Sequence, residues 1–253
     1  MQTGENVLIS GIIIQGPAAS TKRVIMRALG PSLTVSAVPT ALRDPLLELY
    51  DDSGLPPFQN DNWRHTQQAE IEATKLQPSD ERESAIVMSL PPGQYTAVMS
   101  GVDGGTGVGL TEIYDLTRDS QATVGNISTR GFVGTDNNVM IGGFILDGSG
   151  TTDVLIRAIG PSMADDGVPN TLANPTLRLT DGNGNVTFND NWRSNQQAEI
   201  SATTIPPEDD REAAIFATLP AGTYTAIVAG AEGTSGVALV EIYSLGAGSS
   251  VAR

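Results

Sequence analysis

The chain has 253 residues with 29 acidic against 14 basic side chains, a net charge of −15, and no cysteine. So acidic a surface repels phosphate backbones and anionic lipid, and without thiols there can be no disulfide, thiolate metal site or cysteine nucleophile. A hydrophobic content of 39% suffices for packed cores, while 28 Gly and 15 Pro point to many tight turns between short strands.

In chain order, the first apolar run is NVLISGIII (6–14), followed by KRVIMRAL (22–29) and PLLELYD (45–51), which ends at Asp51, Asp52 and Gly54. Each reads as a strand bounded by turn residues. The stretch HTQQAEIEATKL (65–76) is rich in helix formers and places Ala69, Ile71 and Leu76 at spacings that suit a short helix. SAIVMSL (84–90), QYTAVMSGV (94–102) and VGLTEIYDL (108–116) complete the set, the last two joined across DGGTG. In YTAVMSG and LTEIYDL alternate residues are apolar, as a sheet with one wet face requires. No run of eighteen apolar residues occurs, so nothing reads as a transmembrane helix. The opening MQTGENVLISG lacks the basic and apolar regions of a signal peptide, the expectation for a chain that is not exported or for a trimmed or excerpted piece.

After about 130 residues the series starts again. VIMRALGPSL (24–33) returns as VLIRAIGPSM (154–163), and NDNWRHTQQAEI from Asn60 as NDNWRSNQQAEI from Asn189. From Trp63 to Tyr114 against Trp192 to Tyr243, 29 of 52 positions are identical. The period is that of a small domain, too long for a solenoid repeat. The expected fold is all-β, two tandem antiparallel β-sandwiches of jelly-roll type with about eight strands and one short helix each. Residues 1–117 form the first repeat; residues 118–253 form the second, with a linker and a C-terminal tail. The second repeat opens with ATVGNISTRGFV (122–133), a strand candidate without counterpart in the first, which is therefore expected to lack its first strand.

The run PLLELYDDSG…NDNW…DERESAIVMSLPPGQYTAVMSGVDGGTGVGLTEIYDL resembles the bacterial pre-peptidase C-terminal type of β-sandwich, over about 70 residues of each repeat. NISTRGFVGTDNNVMIGGFI and IRAIGPS look like tandem modules of very large secreted bacterial proteins. The resemblance implies a non-catalytic appendage or stalk, extracellular or at the cell surface.

Several residues invite sharper readings. Asp51, Asp52, Asn60 and Asp61, with Asp181, Asn189 and Asp190 in the second repeat, supply hard oxygens for calcium. The same residues build Asx turns and caps without any metal, and no EF-hand loop is present. Trp63 and Trp192 are either stacking platforms for sugars or plugs at the end of a core, and the plug is the expectation. Arg27 and Arg157 sit inside apolar strands and need acid partners, Glu48 or else Glu112 and Glu241. His65 meets Ser194 in the other repeat, and Glu70 with Glu72 meets Glu199 with Ser201, so neither chemistry is shared. No nucleophile elbow, zinc-protease or phosphate-loop motif occurs, and an enzyme is not expected.

An apolar first strand without its neighbour leaves an edge that associates. Val7, Ile9, Ile12 and Ile14 mark that edge, and Asn126, Ile127, Phe132 and Val133 mark the type of strand that fills it. The expected partners are other copies of the chain or adjacent repeats of the same polypeptide, and the expected function is a subunit or segment of a head-to-tail fibre, stalk or adhesin built by strand addition. The alternative is a calcium-dependent carbohydrate- or protein-binding module appended to a secreted enzyme.

Overall fold

The computed structural model describes residues 1–36, 38, 40–117, 119–246 and 251–252. By contacts the chain divides into two units, Met1–Thr123 and Val124–Ala252. The expected division at 117/118 shifts because the following residues stay with the first unit. Ser120 Oγ donates to Thr21 O at 2.6 Å, and the backbone of Gln121 and Ala122 packs on Gly16. A Cβ on Gly16 would lie 2.9 Å from that backbone, and its φ of +143° also favours glycine.

In unit 1, β1 (Leu8–Gln15) pairs with β6 (Gly93–Gly101), β6 with β3 (Pro45–Tyr50), and β3 with β4 (Phe58–Asn60), all antiparallel. The second layer is β5 (Ser84–Leu90), β2 (Lys22–Leu29) and β7 (Leu110–Asp115), in the order β5–β2–β7. Strand β2 is buried almost throughout because both its faces are covered. Val24 and Met26 belong to the core of the unit, while Ile25 packs with Ile71 of helix α1 (Gln68–Thr74), Trp63, Ala85 and Val87. Strand β1 buries alternate residues, Ile12 and Ile14 among them, the period expected of a half-buried strand.

Unit 2 repeats these elements with two fusions. Strand β9 (Met140–Ile159) runs unbroken where unit 1 has β1 and β2, and β12 (Ala213–Gly230) where it has β5 and β6. Unit 1 interrupts the first run with Pro17, which lacks a ladder N–H; unit 2 has no proline there. β12 pairs with β9 along both halves, with a register shift between Pro220 and Gly222. β10 (Pro175–Asp181), β11 (Val186–Asn189) and helix α2 (Gln197–Ala202) correspond to β3, β4 and α1. Strand β13 (Gly236–Ser244) corresponds to β7, and the short β14 (Val251–Ala252) pairs with Leu146 and Ile145 of β9. The remaining tail residues, 247–250 and 253, lie outside the described residues.

The strand expected only in the second repeat is β8 (Thr123–Val133), and it lies on β13 from Gly236↔Val133 to Tyr243↔Asn126. This layer of unit 2 is therefore β12–β9–β13–β8, four strands where unit 1 has three. The fold is all-β and sandwich-like. Both helices are shorter than the sequence suggested, 68–74 instead of 65–76 and 197–202 instead of 194–205. Gln67 and Gln196 adopt left-handed conformations, φ 51° and 58°, which a helix cannot propagate through. Among the described residues no helix is long and apolar enough to cross a membrane.

Candidate functional site

The repeated NDNW phrase builds a joint between loop, helix and sheet. Buried Asn60 accepts the Ala85 amide at 3.0 Å through Oδ1 and donates through Nδ2 to Asn62 O and to Thr66 Oγ1. Asn189 makes the equivalent bonds with the Ala214 amide and Asn191 O. The Trp63 amide donates to Glu83 O at 2.9 Å and its indole to Asp80 O at 3.2 Å, while Trp192 N donates to Glu212 O at 2.8 Å. Both rings are 2% exposed, packed on Ile71 and Ile200 and covered by the guanidinium groups of Arg64 and Arg193 at 4.7 and 4.2 Å. No sugar can stack on faces so covered.

The GPS and RE phrases meet in each unit. Fully buried Glu83 accepts from Gly30 N at 3.0 Å, Ser32 N at 2.9 Å and Ser32 Oγ at 2.5 Å, with Asp80 N at 3.4 Å on its other oxygen. Glu212 does the same with Gly160, Ser162 and Asp209. The donors that converge on each buried carboxylate satisfy its hydrogen-bonding capacity. Reading the sequence motif by motif missed this pairing; the signal was that both phrases recur together.

Arg27 ion-pairs with Glu112, donates from Nη1 to Leu76 O at 2.8 Å, and lies 5.1 Å over the Tyr114 ring. Arg157 repeats this with Glu241, Ile205 O and Tyr243. Burial, then the Glu241 charge, push the Tyr243 hydroxyl up to about 12. Glu48 lies on β3 opposite Gln59 and Val98. Neither arginine has a free fork to grip an anion.

The turn aspartates serve their own loops. Asp51 Oδ1 accepts from Ser53 N at 2.9 Å, and Asp181 accepts from Asn183 N, Asn185 N and Asn185 Nδ2. Hydrogen bonds from Ser53 and from Asn185 are the main causes that hold these carboxyls below the usual range. Asp52 and Asp61 are exposed, and Asp190 has one buried oxygen without a hydrogen-bond partner. Among the described residues no group of three or more His, Asp or Glu is placed to hold a metal ion. The recess beside β4, lined by Tyr50, Leu55, Phe58, Met88 and Tyr95, contains one carboxylate, Asp51, so no acid–base pair faces a substrate there.

The edge residues divide. Ile12 and Ile14 point into the core at 1% and 2% exposure, whereas Val7 and Ile9 are half-buried. Of the filling strand, Asn126 and Val133 are buried, Ile127 nearly so, and Phe132 is exposed. Within unit 2, β8 lies on β13. Its counterpart in unit 1 is β7, which ends its sheet; just before it Met1 pairs with Gly107, the Met1 ammonium donating to Gly107 O at 2.7 Å and Gly107 N to Met1 O at 3.3 Å. Val237, packed with Ile159 and Met163, is 2% exposed, and its counterpart Val108 is 38% exposed.

No protein-family model and no curated protein matches the chain.

Proposed function

We propose that this chain is a non-catalytic extracellular structural and interaction protein, a segment of a head-to-tail fibre, stalk or adhesin that assembles by β-strand addition. One observation carries the reading: β8 completes a four-strand layer on β13, while the equivalent layer of unit 1 ends at β7. An uncovered strand edge presents main-chain donors and acceptors that another strand satisfies at little cost in specificity, because pleat and register do the selecting. When the donor belongs to a neighbouring polypeptide the contact is heterologous, and it propagates into an open fibre. The extracellular placement rests on the resemblance to pre-peptidase C-terminal type modules and to tandem modules of secreted bacterial proteins. The repeated residues Trp63, Arg27 and Glu83, with their counterparts, are committed to packing and internal hydrogen bonds.

Sedimentation velocity across a hundred-fold range of concentration, with electron microscopy of the concentrated sample, tests this reading. Expected are extended species that lengthen with concentration. A single monomeric species throughout, with unbranched particles absent from the grids, contradicts it.

A further inference from the structure

We infer that the recess of unit 1 between β3, β4 and β6 of one layer and β5 of the other is a binding site for a small alkylated ammonium cation, of the trimethylammonium type and without an anionic group of its own. The site is independent of how the chain assembles.

Residues that the sandwich needs recur in both units, and most of this recess does not recur. Leu49, Asp51 and Tyr95 return as Leu179, Asp181 and Tyr224, but Tyr50, Phe58 and Met88 are replaced by Thr180, Thr187 and Ala217. The connection differs as well. In unit 2 residues 182–185 join β10 to β11, and Asp181 closes that turn by accepting from Asn183 and Asn185. In unit 1 residues 51–57 make the same link, with Leu55 71% exposed. Unit 1 thus carries two rings, a thioether and a longer loop around the shared tyrosine, and unit 2 builds the same elements without them.

Size and polarity define the ligand. The recess offers about 140 Å3. An apolar cavity of about 150 Å3 accepts benzene, so a trimethylammonium head fits. Tyr50, Phe58 and Tyr95 contribute three rings to the lining, and aromatic faces attract a cation through their quadrupoles. Asp51 adds a negative charge on the same lining. Burial first, then the charges of Asp51 and Asp52, hold the Tyr95 hydroxyl above its ordinary range, and burial with the Glu48 charge does the same to Tyr50. A primary ammonium would need acceptors for three N–H groups. Here the Tyr95 hydroxyl is already committed to Pro91 O at 2.8 Å and Asp51 Oδ1 to Ser53, so an ammonium whose hydrogens are replaced by methyl groups is the better match. A phosphate or carboxylate on the ligand would meet Asp51 and a chain of net charge −15.

The test is a titration of the full chain, followed by NMR on the methyl protons of the ligand. Choline is the probe, with two controls: its neutral isostere, in which tert-butyl replaces trimethylammonium, and phosphocholine. Choline is expected to bind saturably, its methyl resonance moved upfield by the rings, and about ten-fold more tightly than either control. Phe58→Thr installs the residue that unit 2 carries at that position, and it is expected to weaken choline about ten-fold. Asp51→Asn keeps an oxygen for the Ser53 bonds and removes the charge, with a loss of about three-fold expected. Absence of saturable binding overturns the site. An isostere or a phosphocholine that binds as tightly as choline overturns the ligand class. Choline binding unchanged by both variants places the cation elsewhere on the acidic surface and overturns the site. If Phe58→Thr does not fold, Asp51→Asn and the isostere still decide.

Discussion

Glu83 is a buried carboxylate held by donors of its own unit. A fully buried carboxylate would be costly alone, yet here two amides and a hydroxyl converge on one oxygen. Glu83→Gln keeps an oxygen for those three donors but removes the negative charge they point at and turns an NH2 toward the Asp80 amide; a loss of about 1–3 kcal/mol in unit 1 is expected, measured by chemical denaturation. Trp63→Ala removes a ring that is 2% exposed and should cost about 3–5 kcal/mol. Asp44 behaves differently. Burial first, then repulsion by Asp61, hold its carboxyl above the ordinary range, with Arg82 opposing. A raised carboxyl pKa penalises the folded state at neutral pH, and the penalty disappears as pH falls below the unfolded value. Unit 2 has Asn174 at the matching position. Asp44→Asn should therefore raise Tm by a few degrees at pH 7, since 1 kcal/mol corresponds to roughly 4 °C for a domain of this size, with no gain near pH 3. Asp80 and Asp209 have the opposite sign: bonds from Arg82 and Arg211 lower their pKa, so their contribution is present above the usual carboxylate range and lost on acidification.

At the scale of elements, the helices gave the sequence reading most trouble. Period and composition locate them, but their starts depend on a side chain acting as backbone. Gln67 takes φ 51° so that its amide can accept from Val87 N at 3.1 Å and donate to Val87 O at 2.7 Å, in the manner of an added strand residue on β5. Gln196 does the same on Phe216. Gln67→Glu keeps the shape and removes the donor, and about 1–2 kcal/mol should be lost. Nothing in a string of helix formers announces this, except that both glutamines recur. The strands were legible because alternation and turn residues bound them. The fusion of β1 with β2 into one strand in unit 2 was less so, since it hangs on the absence of a proline at one turn.

For the whole molecule, the duplication made each structural phrase identifiable as something needed twice. The strand character of 123–133 was legible in its composition; its pairing was not. Within its own unit β8 lies on β13, more than a hundred residues later. Long-range pairing of this kind is invisible to local patterns. The most direct measurement of the central claim is amide hydrogen exchange on the full chain, comparing 109–115 with 238–244. Alternate amides of β7 should exchange rapidly and the matching amides of β13 slowly, and concentrating the chain until it assembles should protect those of β7. Equal protection of the two strands in dilute solution, or no change at β7 on concentration, contradicts the account.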